Sequence, residues 1–187
     1  LRAASCPRIT ASAGVAALPS DEDPDEPDPH IWLAPANCAQ MARNIAEGLA
    51  EVYPDDAARL RENAEDYARE MDELQAYGEQ QLSSLSCRQL VTFHDGFSYF
   101  ADAFGLEIAA AMEVEAGSEP SARELEEVVA VVRENAIPAV FSEANGTQDA
   151  AQLVARETGA GVFVLDMGLS NPDAIRNNID TVKEALQ

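Results

Sequence analysis

The first regular pattern along the chain is a helical repeat of apolar residues. One predicted helical face carries four apolar residues at successive spacings of four, four and three: Met41, Ile45, Leu49 and Val52. This spacing is typical of an amphipathic α-helix, and Pro54 cannot continue it. The pattern therefore predicts a helix that begins near Pro35 and ends before Pro54.

A second, longer helical stripe follows. Its apolar and small residues are Leu60, Ala64, Tyr67, Met71, Leu74, Gly78, Leu82 and Leu85. Asp55 or Asp56 is the expected N-cap, and the stripe predicts one helix of about 30 residues, roughly 45 Å long. Because no sustained heptad partner accompanies it, the pattern favours a brace or connector between lobes over a coiled coil.

After Cys87 the pattern changes to short apolar runs that alternate with helical segments. The runs are QLVTF, LEIAAAMEV, AVFS and GVFVLD. Alternation of this kind implies right-handed crossovers and a parallel sheet covered by helices on both faces. The chain is therefore predicted to be α/β, with a three-layer, Rossmann-like parallel-sheet lobe over residues 86–187.

Residue types that start and stop helices mark the boundaries in this lobe. The expected signals are a Ser121–Glu124 capping box, a Thr147 cap, stops at Gly105 and Gly159, and Asn171 with Pro172 at a first turn. Neither GxGxxG nor a Walker A loop follows any predicted strand, so a nucleotide cofactor has no phosphate-binding loop here.

Composition narrows the classes of partner. The 187 residues carry 34 Asp and Glu against 12 Lys and Arg, a formal net charge of −22. Such a charge repels nucleic acid and anionic lipid and attracts cations, so nucleic acid is disfavoured as a partner. The length suffices for a buried core, and no apolar run reaches the roughly 18 residues of a membrane-spanning helix.

The spacing of the cysteines and the first ten residues predict no further site or targeting segment. Cys6, Cys38 and Cys87 lack CxxC spacing, which argues against a thiolate zinc site and allows at most one disulfide. The start, LRAASCPRIT, has no charged region followed by an apolar stretch, so no signal peptide is expected within this numbering.

Polar residues follow three of the predicted strands. The first strand runs into His94 and Asp95, the third into Glu143 and the fourth into Asp166. Ligands of open parallel sheets bind beyond the carboxyl ends of the strands, so these side chains are expected on one rim. Imidazole nitrogen and carboxylate oxygen suit Zn²⁺, and a set richer in oxygen suits Mn²⁺.

The other His lies in DPHIWLAP, residues 28–35, beside the only Trp. Pro29 keeps the preceding residue extended, so His30 can present a ring nitrogen while Ile31 and Trp32 pack beneath it. The alternative is a helix-entry staple with a surface His.

Several stretches together resemble the metal-binding proteins of zinc and manganese ABC importers. They are DPHIWLAPANCAQMARNIAEGL, the long helix, VTFHDGFSYFADAFGL, SEPSARELEEVVAVVRENAIPAVFSE and GVFVLDMG, in consistent order from about residue 9 to the end. The resemblance implies a periplasmic or extracellular, membrane-associated receptor with two α/β lobes joined by one rigid helix. It also implies that the receptor holds zinc, or alternatively manganese, between the lobes and delivers it to an importer permease without catalysis.

The resemblance also assigns ligands. It implies that His30 in DPHIW comes from the first lobe, and that His94 in FHD and Asp166 in VLD come from the second. Glu143 matches an acid near the cleft that is not a regular ligand, so it is the weaker candidate. His at the FHD position leans toward zinc, since a more oxygen-rich set suits manganese.

The first lobe of that family is only partly matched. A further His of the family has no counterpart here, and CPRITASAGVAALP resembles only the last strand and turn of that lobe. We therefore expect a remnant of the first lobe at residues 1–53, the connecting helix at 54–85 and the metal-binding lobe at 86–187. A truncated first lobe implies weak metal binding by this chain alone and allows a homodimer through the exposed remnant.

Two other classes of function compete with the receptor. A metal-dependent hydrolase would use His94 with Asp95 or Glu143 as acid and base, although no nucleophile elbow or HExxH motif is present. A helix-mediated interaction module would use the long amphipathic helix and leave the strand-end residues idle.

Overall fold

A computed structural model describes residues 6–20, 26–112, 121–144, 148–169, 171 and 173–187. Residues 6–20 form a turn at 11–14 and one isolated antiparallel bridge, between Pro19 and Pro27. The Asn44 amide donates hydrogen bonds to the carbonyls of Ala11 (2.7 Å) and Ala13 (2.8 Å), which fastens this segment to the first helix.

Two helices form an antiparallel hairpin after the DPHIW stretch. A 3₁₀ turn at Ile31–Leu33 leads into α1 (Pro35–Val52), and a second 3₁₀ turn at Pro54–Asp56 leads into α2 (Ala57–Gln81). Proline at the first position of α1 suits a helix start, because the missing N–H would have no partner in the helix. The long helix is thus shorter than the span predicted for it, and a 3₁₀ turn takes up its first residues.

The predicted apolar face of α1 is partly wrong. Ile45 and Val52 are 41% and 39% exposed, and the buried apolar side chains of the helix interior are those of Ala39, Ala46 and Ala50. Because α1 packs along α2, small side chains at the contact allow the two helices to approach closely. The spacing of large residues therefore indicated the helix but not its buried side.

The predicted cap of α2 is also only half right. Asp56 occupies the N-cap position. Its carboxylate accepts a hydrogen bond from the Arg59 guanidinium (2.9 Å), where a capping residue would accept one from the helix backbone.

The rest of the described chain alternates strands and helices as predicted. The elements are β1 (Gln89–Thr92), α3 (Ser98–Phe104), β2 (Glu107–Ala111), α4 (Ala122–Glu134), β3 (Ala139–Glu143), α5 (Asp149–Thr158), β4 (Gly161–Leu165) and α6 (Ala174–Leu186). The strands form one parallel sheet in the order β2-β1-β3-β4.

Alternate strand residues point into two cores, which confirms the three-layer α/β architecture. On one face, Leu90 and Phe141 pack in a cluster with residues of α2, α3 and α6. On the other face, Val91 and Val140 pack in a cluster with residues of α4 and α5. None of the helices in the described ranges combines the length and apolarity needed to cross a membrane.

Most of the predicted helix boundaries in this lobe are confirmed. Ser121 and Glu124 form both hydrogen bonds of a capping box at the start of α4. Gly105 (φ +62°) and Gly159 (φ +83°) end α3 and α5 in the left-handed conformation that favours glycine. The predicted signals at Thr147 and Pro172 lie outside the described residues.

Candidate metal centre

The carboxyl ends of β1, β3 and β4 lie side by side at one edge of the sheet. His94 follows β1, Glu143 is the last residue of β3, and Asp166 follows β4. The helices after β1 and β3 pack on opposite faces, so this edge contains the point where the strand order reverses, which is where open α/β sheets bind ligands. The predicted common rim is therefore present.

Asp28 orients His30. One carboxylate oxygen, Oδ1, accepts hydrogen bonds from the backbone N–H of His30 (2.8 Å) and from its ring Nδ1 (2.7 Å). Because an ionised carboxylate can only accept, Nδ1 carries the hydrogen and Nε2 of a neutral ring keeps a free lone pair. Asp28 is itself only 3% exposed, so the imidazole is held by a fixed group.

The two imidazoles meet although they are far apart in the sequence. The ring centroids of His30 and His94 are 5.1 Å apart and their planes are inclined by 80°. Trp32 also packs against His30, with ring centroids 5.5 Å apart and planes inclined by 67°. The expected support of His30 by Trp32 is thus present, and His94 comes from the sheet lobe to meet the same ring.

Met167, the residue after Asp166, lies near both Trp32 and His94. Its backbone carbonyl accepts a hydrogen bond from the Trp32 indole (2.7 Å). Its terminal methyl and the His94 ring both lie over Gly96, where an added Cβ would come within 2.8 Å of the methyl and 2.9 Å of the ring. The absence of a side chain at Gly96 therefore leaves room for both groups.

Asp166 is held by a network of its own. Its Oδ1 accepts a hydrogen bond from the Gly168 backbone N–H (2.8 Å) and its Oδ2 one from the Asn171 amide (3.0 Å). Its backbone N–H donates to Oδ1 of Asn178 (2.9 Å), and its carbonyl accepts from Nδ2 of the same side chain (2.8 Å). The carboxylate thus helps to shape the turn before α6 while retaining lone pairs for a cation.

The segment before His30 is joined to the loop that carries His94. The Ser20 hydroxyl donates to Asp95 Oδ2 (2.9 Å), and the Leu18 backbone N–H donates to the Tyr99 hydroxyl (3.0 Å). Two parts of the chain on either side of the helical hairpin therefore meet at the candidate site.

The structure thus brings His30 and His94 together and places Asp166 directly before Met167, whose methyl lies with the His94 ring over Gly96. Glu143 is half-buried and pairs with Leu165 at the end of the neighbouring strand. Within the described ranges, no group of three or more His, Cys, Asp or Glu side chains is arranged to hold a metal ion. Cys6, Cys38 and Cys87 are free thiols.

Sequence reasoning missed Asp28, Gly96 and Asn178. The position of Asp28 two residues before His30 is a usable signal, since Asp side chains often accept hydrogen bonds from the backbone two residues on. Gly96 and Asn178 give no such local signal.

Comparison with known proteins gives a consistent set of relatives. The family model described as "Zinc-uptake complex component A periplasmic" matches residues 2–185. The iron-binding protein YfeA of Yersinia pestis is 33% identical over 167 residues, which are 86% of this chain and 54% of that protein. The zinc-binding lipoprotein AdcA of Streptococcus pneumoniae is 31% identical over 139 residues, 74% of this chain and 28% of AdcA.

A solved structure of a similar protein has the same fold. A crystal structure of ZnuA superimposes with a TM-score of 0.85 at 30% identity, covering 96% of this chain and 70% of that chain. The chain spans about half the length of YfeA, the 54% noted above.

Proposed function

Because this chain belongs to the zinc-uptake complex component A family, we propose that it forms the metal-holding part of an extracytoplasmic receptor. The receptor captures a divalent transition metal ion and delivers it to the permease of an ABC importer. The observation that carries this proposal is the approach of His30 and His94, whose ring centroids are 5.1 Å apart. Two imidazoles from distant parts of a chain with net charge −22 form a set of donors suited to a cation.

We assign His30, His94 and Asp166 as ligands and Glu143 as a secondary candidate. Asp28 leaves Nε2 of His30 as the nitrogen able to bind an ion. The short distance between the imidazoles and the position of Asp166 directly before Met167, whose methyl lies with the His94 ring over Gly96, support Asp166 as the third ligand. Water or a further protein group fills the remaining position of a tetrahedral shell.

Zinc is the proposed cargo, with manganese the alternative. Two imidazoles and one carboxylate suit Zn²⁺ better than Mn²⁺, which prefers more oxygen ligands. Relatives bear the names of different metals, iron for YfeA and zinc for AdcA. The choice of zinc over manganese therefore rests on the proposed ligands of this chain, two imidazoles and one carboxylate.

The mechanism is capture and transfer, and we propose no catalytic step. The neutral imidazoles and the carboxylate replace part of the hydration shell of the ion, and the permease accepts the ion when these ligands separate. The proposed division is residues 1–53 as part of a first lobe, 54–85 as the connecting helix and 86–187 as the metal-binding lobe. Leu74 of α2 lies in the core of that lobe, which supports a rigid joint.

Self-association stays a prediction of the same proposal. The exposed apolar side chains of Ile45, Val52 and Tyr53 offer a surface on and just after α1 for a second copy. The proposed location outside the cytoplasm follows from the family.

Titration of the 187-residue chain with Zn²⁺ and Mn²⁺ by calorimetry tests the function. We expect binding of one ion, weak enough to need titration into the millimolar range, and at least about tenfold weaker binding in His94→Ala and in Asp166→Ala. Asp102→Ala, at an exposed acid on α3, is the matched control. Unchanged affinity in both site variants rejects the assignment, and metal-dependent ester or phosphate hydrolysis by the unsubstituted chain favours an enzyme instead.

A further inference from the structure

We infer that Asn178 is the positioning residue for Asp166 and so sets the carboxylate of the proposed metal site. This inference rests on the proposed function. Asn178 lies on α6, twelve residues after Asp166 in the sequence, and is 1% exposed. It does not reach the proposed ion and acts through the residue that would.

The burial of this side chain calls for a physical reason. Its neighbours on the inner side of α6 are apolar: Ile175, Ile179, Val182 and Leu186, all 8% exposed or less. Removing an amide from water costs free energy unless its hydrogen bonds are replaced. An aliphatic residue at 178 would continue the apolar face without that cost, so the amide is explained by its partners.

Both hydrogen bonds of the amide are made with one residue, Asp166. Oδ1 of Asn178 accepts from the backbone N–H of Asp166 (2.9 Å), and Nδ2 donates to the Asp166 carbonyl (2.8 Å). The amide thus pairs with the backbone as a neighbouring strand would, at the point where β4 has ended. This pairing fixes the plane of the peptide groups on both sides of the Asp166 Cα.

Once the Asp166 backbone is fixed, two further hydrogen bonds hold its carboxylate. Gly168 N–H and the Asn171 amide each bind one carboxylate oxygen, and the methyl of Met167, directly after Asp166, lies with the His94 ring over Gly96. A rotation of the Asp166 backbone would therefore move both the carboxylate and Met167. The buried apolar residues around Asn178 hold α6 in the core. Asn178 therefore keeps the Asp166 backbone at a fixed position relative to that core.

The experiment compares Asn178→Leu with Asn177→Ala in the 187-residue chain. Leucine has a similar volume and suits the apolar surroundings, so it removes both hydrogen bonds while preserving packing. Asn177 is the adjacent, exposed residue on the same helix and serves as the control. Circular dichroism establishes that each variant folds.

Two readouts separate positioning from stability. In the metal-free chain, amide hydrogen exchange by NMR reports whether the Asp166 N–H remains bonded. With Co²⁺ as the probe ion, the visible absorption spectrum reports the geometry of the ligands, and its titration gives the affinity. For Asn178→Leu we expect at least about tenfold faster exchange at Asp166, a changed cobalt spectrum and about tenfold weaker cobalt binding, with Asn177→Ala like the unsubstituted chain.

The outcomes distinguish this inference from the function on which it rests. If Asp166→Ala abolishes cobalt binding but Asn178→Leu retains the exchange protection, spectrum and affinity, the positioning role is overturned and the receptor stands. If the unsubstituted chain binds no cobalt, or if Asp166→Ala binds it normally, the ligand assignment fails and the positioning role fails with it. A folded Asn178→Leu that is merely less stable, with an unchanged spectrum and affinity, also overturns the inference.

Discussion

Single residues that are not proposed as ligands hold the two imidazoles. Asp28 binds both the backbone and Nδ1 of His30 through one oxygen, and Gly96 leaves the space in which His94 and Met167 meet. A ligand His is effective only when its ring is oriented, because an unfixed side chain loses rotamer freedom on binding. The affinity of the proposed site therefore depends on residues that never contact the ion.

Gly96→Ala tests this dependence. The added Cβ would lie 2.9 Å from the His94 ring and 2.8 Å from the Met167 methyl, so at least one of them must move. We expect zinc affinity, measured by calorimetry, to fall by about tenfold or more while the fold is retained. Gly161→Ala is the matched control, because its Cβ would meet the Phe163 ring at 2.8 Å at the start of β4, the opposite end of that strand from Asp166. Equal affinity in the two variants would contradict the role of Gly96.

The sequence predicted the candidate ligands better than their surroundings. DPHIW and FHD identify His30 and His94 as functional candidates because each follows a recognisable local pattern. The contribution of Gly96 depends on what approaches it from a distant strand. Asn178 occupies a position in the apolar repeat of α6, so only the tertiary structure reveals that its partner is Asp166.

Among the elements, the sheet was predictable and the helical hairpin was less so. Runs rich in β-branched and aromatic residues, such as AVFS and GVFVL, are typical of parallel strands, and they identify β3 and β4 directly, although only β3 is buried along most of its length. The contact between α1 and α2 uses alanines instead, including Ala46 and Ala64. Methyl groups contribute little to an apolar repeat, so the pattern of larger residues pointed to the wrong side of α1.

Two ion pairs also join this hairpin, and they predict a pH dependence. Arg61 binds Glu47 (2.7 Å) and Arg43 binds Glu65 (2.8 Å). The hydrogen bonds from the guanidinium groups lower the pKa of both carboxyls below their ordinary value of 4.5. When the folded-state pKa is lowered, the stabilisation is complete above the unfolded-state pKa and disappears as the pH falls through the folded-state pKa.

The double variant Glu47→Gln, Glu65→Gln should accordingly unfold at a lower temperature than the unsubstituted chain at pH 7. The effect should be small, because both pairs are exposed and screened by salt, and it should vanish in acid below the lowered pKa values. Glu51→Gln, Glu62→Gln makes the same change in charge on the same two helices and should not lower the melting temperature. Thermal unfolding followed by circular dichroism at a series of pH values measures the difference, and a deficit that persists at the acidic end would argue against the ion pairs as its cause.

For the molecule as a whole, the proposed site joins segments on both sides of the hairpin. His30 precedes α1, whereas His94 and Asp166 follow α2. Hydrogen bonds between Ser20 and Asp95 and between Leu18 and Tyr99 also connect these regions. The spacing of these residues in the sequence could not predict this arrangement, because separation along the chain does not determine the distance between residues in the folded protein.

Metal binding should therefore stabilise the entire fold, because unfolding separates the ligands. An ion at about a hundred times its dissociation constant contributes about 2.7 kcal/mol, which for a chain of this size raises the melting temperature by about 5 to 10 °C. We expect Zn²⁺ to produce this rise and a chelator to reverse it. Mg²⁺ at the same concentration should raise the melting temperature less, since it screens the acidic surface but prefers six oxygen ligands. His30→Ala should melt near the unsubstituted metal-free chain and lose most of the response to zinc. An equal shift with both ions, or a full zinc response in His30→Ala, would mean that zinc acts on the surface charge and that the segment before α1 contributes no ligand.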